Sequence, residues 1–351
     1  MAILFLQVTF VGSVKYLFQS VTIFALALII AIGLLYAQFD PIHRAANMSK
    51  KYIFHQLIPL NHITSIFNII QNYVKTYLPE KDKKHINVSA HTSTQDDLVV
   101  VLAVGESARQ KNFSLYGYTR KNTNPILSKD KNLHMLNGVA TFGSTLYALP
   151  EILVKQDVPL PTITAESGIN TACYVNFSLY DNCGTVEQVK VTNCGHDGRC
   201  YDEDVIPLLT DNLQSYTSGY RFIVLHLGGG SHGPNYQKRY PPEFQRFHPM
   251  CLDADVVNQC TVDELYNSYD NTILYTDYVL GKIINTLDNS GAPYVFIYIS
   301  DHGESLMEND RVFHGMPPGI PLPPEQKHVP LIVKSSIPLL IIERQEYRQP
   351  D

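Results

Sequence analysis

An α/β fold with a parallel sheet is what this sequence of 351 residues predicts. Predominantly apolar runs at residues 98–104, 221–227 and 294–299 are typical of strands that are buried on both faces of such a sheet. Residues 263–288 repeat apolar side chains at three- and four-residue steps, which predicts a helix before the last of these runs. Residues 328–333 predict one more strand. Strands that alternate with helices indicate an α/β sheet.

The first 40 residues predict a transmembrane anchor. Residues 21–37 carry no charge, and with Leu17 and Phe18 they approach the roughly 20 residues that cross a bilayer. A cleaved signal peptide is the alternative, but the apolar run is long and lacks a charged N-terminal region. More basic residues follow the span than precede it, which would place the next segment in the cytoplasm. The cysteines further along the chain favour the opposite side.

Residues 41–97 predict a connection between this anchor and a larger domain. Apolar side chains recur at helical spacing from residue 52 to residue 77, and Pro59 divides the pattern into two helices. Amphipathic helices that lie on a membrane or bridge to the next domain, and ordinary packing helices, both remain open. Residues 79–97 are polar and predict a linker. We therefore expect three parts, at residues 1–40, 41–97 and 98–351.

Charge and cysteine content narrow the class of protein. The formal net charge of −6 and the lack of a basic tail do not favour nucleic acid as a partner. Six cysteines lie close together in pairs within polar, turn-rich surroundings, which favours disulfides in an oxidising compartment over a cysteine-based zinc site or free thiols. The predicted pairs are Cys173–Cys183, Cys194–Cys200 and Cys251–Cys260.

Acidic and imidazole side chains follow the ends of the predicted strands. Glu106 follows the first run, His232 follows a glycine-rich stretch after the second, and Asp301 and His302 follow the third, with His314 close by in sequence. Because ligands bind beyond the carboxyl ends of the strands in open α/β sheets, we expect these side chains to converge. Carboxylates and imidazoles are good zinc ligands. A loop start that caps a helix is the alternative for the Asp-His pair, and the convergence favours a metal site.

Candidate nucleophiles occur in a stretch of small residues at 138–150. Ser144 and Thr145 can each cap a helix or act as a nucleophile. Ser107, which lies directly after the predicted ligand Glu106, is a third candidate hydroxyl.

Four motifs carry a family resemblance. They are Gly-Glu-Ser-Ala-Arg at 105–109, Asn-Phe-Ser-Leu-Tyr-Gly-Tyr at 112–118, Ser-His-Gly-Pro at 231–234, and Ser-Asp-His-Gly-Glu-Ser at 300–305 with a later His-Gly. Together they resemble the bacterial phosphoethanolamine transferases that act on lipopolysaccharide, members of the alkaline phosphatase and sulfatase superfamily. The resemblance implies a sulfatase-like sheet with helices on both faces, an inner-membrane anchor and a periplasmic catalytic domain. It also implies phosphatidylethanolamine as donor and lipid A or the lipopolysaccharide core as acceptor.

The resemblance also implies roles for individual residues. By motif, Glu106, Asp301 and His302 match zinc ligands, and Thr145 matches a threonine that is both nucleophile and ligand. His232 and His314 match histidines that serve the substrate phosphate or a second metal. The family usually carries several transmembrane helices, so further helices are expected upstream of the single clear span.

Three departures from the family pattern stand out. Ser107 occupies a position where threonine is commoner, and the three glycines make the interval before His232 one residue longer than expected. Cysteines often flank the nucleophile in the family, whereas Thr141 and Glu151 stand there in this chain, so Ser144 stays open as the aligned hydroxyl.

The reaction implied by the resemblance is a two-step transfer through a covalent threonine intermediate. A membrane-anchored periplasmic sulfatase or phosphodiesterase-type hydrolase is the alternative, and a non-catalytic binding protein is a third. A sulfatase would need a Cys or Ser in a C/S-x-P-x-R setting, which the sequence does not contain. The intact metal ligands and nucleophile argue against a binding protein.

Overall fold

The computed structural model describes residues 97–192, 194, 200–316 and 320–338. The predicted anchor at residues 1–40 and nearly all of the predicted connection at 41–97 lie outside these residues. Within the described part of the chain, no helix is both long enough and apolar enough to cross a membrane.

Eleven strands and six α-helices are described, with short 3-10 turns between them. The strands are β1 (Leu98–Gly105), β2 (His134–Val139), β3 (Val154–Lys155), β4 (Val158–Pro159), β5 (Asn170–Val175), β6 (Gln188–Lys190), β7 (Tyr220–Leu227), β8 (Tyr294–Ser300), β9 (Ser305–Leu306), β10 (Val312–Phe313) and β11 (His328–Ser335). The helices are α1 (Thr145–Leu153), α2 (Leu160–Glu166), α3 (Ile206–Gln214), α4 (Val256–Gln259), α5 (Val262–Asp288) and α6 (Pro324–Lys327). The 3-10 turns are Gln110–Asn112, Ser114–Tyr116, Leu127–Lys129, Asp202–Val205, Tyr236–Lys238, Pro242–Phe244 and Glu308–Asp310.

A seven-stranded sheet with the order β2-β11-β8-β1-β7-β5-β6 organises the domain. The three apolar runs form its central strands β8, β1 and β7, which pair in parallel, as predicted. The sheet as a whole is mixed, because β11 runs antiparallel to both β8 and β2. The described connection from β8 to β11 holds only two short strands, a 3-10 turn and α6. Without a crossover helix to return the chain to the starting edge, the next strand has to run in the opposite direction.

Successive residues of β1 enter two separate cores, one on each face of the sheet. Val99, Val101 and Ala103 pack on one face and Leu102 and Val104 on the other, as the alternation of side chains along a strand requires. The predicted helix is α5, which supplies most of the helical side chains of the first core, including Leu265, Tyr269 and Ile273. Helix α1 supplies Leu149 and Leu153 to the second core. Helices therefore cover both faces of the sheet.

All three predicted disulfides are present. They join Cys173 to Cys183, Cys194 to Cys200 and Cys251 to Cys260. The last of them ends immediately before Thr261, the N-cap residue of α5, whose side chain accepts the backbone N–H of Glu264. This bridge therefore fixes the chain at the entrance to the longest described helix.

Removal of the Cys251–Cys260 bridge is expected to destabilise the domain. Replacing both cysteines with serine frees a short loop in the unfolded chain, so the free energy of unfolding should fall by roughly 2–3 kcal/mol. Denaturant unfolding of the oxidised proteins measures this, and wild type unfolded with a reductant, which opens all three bridges, is the control that should lose at least as much. An unchanged denaturation midpoint in the double variant would contradict the expected contribution.

Candidate active site

The carboxyl ends of β1 and β8 bring two acidic residues together. Gly105 pairs with Ser300 in the parallel register, so Glu106 and Asp301 each follow directly from neighbouring strands. The backbone N–H of Asp301 donates to the carbonyl of Gly105 at 3.0 Å, and the N–H of Ser107 donates to Asp301 Oδ1 at 3.0 Å. The loop after β1 is thereby tied to the end of β8. Both carboxylates are buried.

Helix α1 delivers a hydroxyl to this pair of strand ends. Thr145 is the first residue of the helix, and Ser144 precedes it as the N-cap residue in an extended conformation. Thr145 Oγ1 lies 3.1 and 3.0 Å from the two carboxylate oxygens of Glu106 and 3.4 Å from Nε2 of His302. Ser107 also contacts the site, since its hydroxyl donates to Glu106 Oε1 at 2.7 Å.

Hydrogen bonding at His302 and Asp301 leaves two acceptor atoms side by side. His302 Nδ1 lies 2.9 Å from the carbonyl of Gly303, which assigns the proton to Nδ1 and leaves Nε2 with a free lone pair. That Nε2 is 3.3 Å from Asp301 Oδ2. Asp301 Oδ1 accepts two backbone N–H groups, whereas Oδ2 is buried without a hydrogen-bond partner. A buried carboxylate oxygen without a hydrogen-bond partner, next to an imidazole nitrogen whose nearest hydroxyl is at 3.4 Å, is a costly arrangement that a cation would stabilise.

The two carboxylates have pKa values that are shifted in opposite directions. Burial and the neighbouring charge of Glu106 raise the pKa of Asp301 well above its ordinary value. At Glu106 burial also acts to raise the pKa, but the hydrogen bond with His232, the charge that His302 carries when its ring is protonated, and the hydroxyl of Ser107 outweigh it, so the pKa falls below its usual range. Like charges at one site push their protonation equilibria apart in this way. A divalent cation between them would let both groups ionise.

The remaining two predicted site residues lie on the more open side. His232 Nδ1 is 3.5 Å from Glu106 Oε1, and the ring of His314 packs 4.6 Å from the ring of His232 and 4.5 Å from that of His302. Glu106, His302 and His314 each offer an atom such that all three lie within 4.8 Å of one another, a spacing that could hold a metal ion. The structure therefore brings together all six residues that the sequence analysis selected, and it groups His314 with two of the predicted ligands.

Glu304 is a site residue that the sequence analysis did not select. Its fully buried carboxylate accepts the N–H of Gly233 at 3.0 Å and the hydroxyl of Tyr236 at 2.9 Å, and lies 3.9 Å from His314 Nδ1. It therefore links the stretch after His232 to His314. Its position three residues after Asp301, inside the Ser-Asp-His-Gly-Glu-Ser motif, was the available signal.

A mixed α/β sheet with carboxylates, histidines and a helix-borne hydroxyl at its carboxyl edge defines a domain of the alkaline phosphatase and sulfatase type. The chain belongs to the sulfatase family, because residues 99–338 match that family.

Within this family, the chain is similar to phosphoethanolamine transferases. It is 37% identical over 262 residues to the phosphoethanolamine transferase EptA of Helicobacter pylori, a match that covers 68% of this chain and 48% of that protein. The C-terminal periplasmic domain of phosphoethanolamine transferase EptC from Campylobacter jejuni is 33% identical, with a TM-score of 0.60 over 69% of this chain and 80% of that one. The integral membrane protein lipooligosaccharide phosphoethanolamine transferase A from Neisseria meningitidis is 28% identical, with a TM-score of 0.69 over 88% of this chain and 60% of that one. The chain thus spans about half the length of the Helicobacter relative that it matches.

Proposed function

We propose that this protein transfers phosphoethanolamine from phosphatidylethanolamine to lipid A or the lipopolysaccharide core through a covalent intermediate on Thr145. The observation that carries the proposal is the placement of Thr145 Oγ1 within 3.4 Å of both Glu106 and His302, at the first residue of a helix. The relatives described above are phosphoethanolamine transferases by name, and the Neisseria protein acts on lipooligosaccharide by name.

Zinc is the cofactor that we propose for this site. Glu106, Asp301, His302 and Thr145 would hold it, a set of two carboxylates, one imidazole and one hydroxyl that suits zinc. Support comes from Asp301 Oδ2, which is buried without a hydrogen-bond partner, and from Nε2 of His302, which lies 3.3 Å from it. When bound, zinc would act as a Lewis acid that favours the ionised hydroxyl and neutralises charge on the phosphoryl group.

The residues of the chain suit the two steps of such a transfer. Thr145 Oγ1 donates its hydrogen bond to Glu106, which can receive the proton as the Oγ–P bond forms and the bond from phosphorus to the glycerol oxygen breaks. Glu106 passes that proton to the glycerol oxygen, so diacylglycerol leaves as an alcohol. An acceptor oxygen, from a phosphate or a hydroxyl of the lipopolysaccharide, then attacks the phosphorus as the Oγ–P bond breaks, and any proton that it carries returns through Glu106 to Thr145 Oγ1. Because Thr145 is the first residue of α1, backbone N–H groups at the start of that helix would favour the phosphoryl oxygens.

His232 and His314 are suited to bind the phosphoryl oxygens during both steps. Their side chains are 36% and 14% exposed, whereas that of His302 is fully buried, so they line the side that a substrate can approach. Imidazole N–H groups there would stabilise the negative charge that develops on the phosphoryl group.

We also propose that the catalytic domain is residues 98–351 and lies in the periplasm, held at the inner membrane by residues 1–40 with residues 41–97 between them. The three disulfides suit an oxidising compartment. The Campylobacter relative is described as a periplasmic domain and the Neisseria relative as an integral membrane protein, which supports the same placement.

Product analysis tests the proposed function against a hydrolase. The full chain is incubated with phosphatidylethanolamine in detergent, with and without lipid A. A transferase adds phosphoethanolamine to lipid A and releases diacylglycerol, both detectable by mass spectrometry. Free phosphoethanolamine at the same rate with or without lipid A would instead establish the phosphodiesterase-type alternative.

Exposed apolar side chains beside Thr145 support a lipid as the donor. Leu146 and Tyr147 follow Thr145 in the first turn of α1 and are 52% and 45% exposed. Apolar side chains at the rim of a site for a polar head group would contact the diacylglycerol portion of the donor, which gains from burial of apolar surface.

Replacing both Leu146 and Tyr147 with serine is expected to raise KM for micellar phosphatidylethanolamine roughly 30-fold, since each side chain contributes about 1 kcal/mol of apolar contact. Glycerophosphoethanolamine, a donor without acyl chains, should be used as efficiently as by wild type. The matched control replaces Leu252 and Val257, which are 63% and 60% exposed elsewhere on the domain, with serine. An equal loss of activity with both donors would show that Leu146 and Tyr147 do not contact the acyl chains of the donor.

A further inference from the structure

The three glycines before His232 have their backbone N–H groups held by only two side chains. Asn176 Oδ1 accepts the N–H of Gly228 at 2.7 Å. Asp202 Oδ1 accepts that of Gly229 at 2.8 Å, and Asp202 Oδ2 accepts that of Gly230 at 2.9 Å. The Asn176 amide also donates to Asp202 Oδ1, which joins the two side chains. Three successive donors of one loop are thus satisfied by a single amide–carboxylate pair.

The opposite side of the glycine loop lies directly against Glu106. A Cβ atom added to Gly230 would lie 2.3 Å from the carbonyl oxygen of Glu106, and one added to Gly228 would lie 2.5 Å from Cβ of Phe177. Ser231, the next residue, donates its N–H to the same Glu106 carbonyl at 2.9 Å. Backbone without side chains is therefore required for this close approach. This close approach explains why glycines occupy the stretch before His232.

His232 takes its position from this loop. It lies two residues after Gly230, and its Nδ1 is 3.5 Å from Glu106 Oε1. Its carbonyl accepts a hydrogen bond from Arg239 Nε at 3.0 Å, which fixes the chain on the far side. The side chain is 36% exposed, so the backbone on either side, rather than tight packing of the ring, holds the imidazole in place.

Burial of the Asp202 carboxylate is energetically unfavourable. The residue is 2% exposed, and burial raises its pKa to about 6 despite the hydrogen bonds from Gly229, Gly230 and Asn176 and the charge of Arg239. A buried carboxylate is unfavourable for the fold unless its hydrogen bonds are needed. Both oxygens of Asp202 are used by the loop, and neither an amide nor a hydroxyl could accept from Gly229 and Gly230 in the same way.

We propose that Asn176 and Asp202 are positioning residues that clamp the glycine loop and so hold His232 against Glu106 at the phosphoryl site. Two disulfides flank the pair, since Asn176 lies between the bridged Cys173 and Cys183, and Cys200 precedes Asp202 by two residues. The effect on turnover rests on the proposed function, because it assumes that His232 acts on the phosphoryl group.

Asp202→Asn and Asn176→Ala in the full chain test the clamp. Each should lower kcat/KM for donor turnover roughly 10- to 100-fold, since His232 would no longer be aligned. Modification of His232 by diethyl pyrocarbonate, mapped by peptide mass spectrometry, should become severalfold faster because the loop opens. All variants are compared at a temperature at which circular dichroism shows them folded.

Asp277→Asn is the matched control. Asp277 is also a buried carboxylate with a pKa raised to about 6 by burial, and its oxygens accept the backbone N–H groups of Ile126 and Leu127 at 2.8 and 3.0 Å, away from the site. It should cost stability without changing kcat/KM or His232 labelling. Equal losses in Asp277→Asn and Asp202→Asn, or unchanged His232 labelling in Asp202→Asn, would overturn the clamp. If wild type turns over no donor, the proposed function fails and the labelling alone decides the clamp.

Discussion

Thr145→Ala is expected to lower donor turnover by roughly three orders of magnitude or more, because the variant lacks the oxygen on which we propose that the covalent intermediate forms. The fold should be retained, since the helix keeps Ser144 as its N-cap and the side chain of Thr145 is only partly buried. Release of diacylglycerol from phosphatidylethanolamine measures the loss. Incubation of wild type with donor alone should leave phosphoethanolamine on the peptide that contains Thr145.

Three further variants separate Thr145 from its neighbours. Thr145→Ser keeps the hydroxyl and should retain part of the activity. Ser144→Ala removes the adjacent hydroxyl and should cost helix stability of about 1 kcal/mol or less with the adduct unchanged. Ser107→Ala removes a hydrogen bond of 2.7 Å to Glu106 and should reduce activity without preventing the adduct. An adduct on Ser144 or Ser107, or normal turnover by Thr145→Ala, would refute the assignment.

Much of the fold could be predicted because its central strands are buried on both faces. Strands β1, β7 and β8 are predominantly apolar, and α5 repeats apolar side chains at helical spacing, so the strands and the helix can be recognised from the local sequence. The direction of β11 could not be predicted, because it depends on the path of the preceding connection rather than on the strand itself. Strand β2 was missed because it lies at the edge of the sheet and is largely exposed, so it lacks an apolar run.

The candidate site also contains residues that could be predicted from the sequence and residues that could not. Glu106, Asp301 and His302 were predictable, because the carboxyl ends of parallel strands converge on one edge. The clamp was not, because Asn176 and Asp202 reach glycines 52 and 27 residues away in sequence. Asn176 and Asp202 lie in loop-rich sequence where nothing local distinguishes them from ordinary turn residues. Only the folded chain shows that both oxygens of one aspartate are directed at consecutive backbone donors.

Asp301→Asn is expected to lower the zinc affinity of the protein by at least about 100-fold. The substitution removes a proposed ligand, and loss of a residue that only hydrogen-bonds to a ligand already costs about 10- to 100-fold. In the wild-type structure Oδ1 accepts the N–H groups of Ser107 and His302, so the carbonyl oxygen of asparagine should take that position. Its NH2 group would then replace Oδ2, the atom without a hydrogen-bond partner, and donate toward Nε2 of His302 at about the present separation of 3.3 Å. The lone pairs available to zinc would both be lost.

The same substitution should not destabilise the metal-free protein, although it weakens zinc binding. Burial and the charge of Glu106 raise the pKa of Asp301 in the folded protein, so the ionised carboxylate destabilises the metal-free fold. The free energy of unfolding of the metal-free protein therefore falls as the pH rises from the unfolded-state pKa of Asp301 through its folded-state pKa. At neutral pH, metal-free Asp301→Asn should therefore unfold at the same temperature as metal-free wild type or at a higher one.

Added zinc should raise the Tm of wild type and leave that of the variant unchanged. Bound zinc after dialysis gives an independent measure, with Asp277→Asn as the buried-aspartate control that should keep its metal. Retention of zinc by Asp301→Asn at wild-type affinity would remove Asp301 from the site.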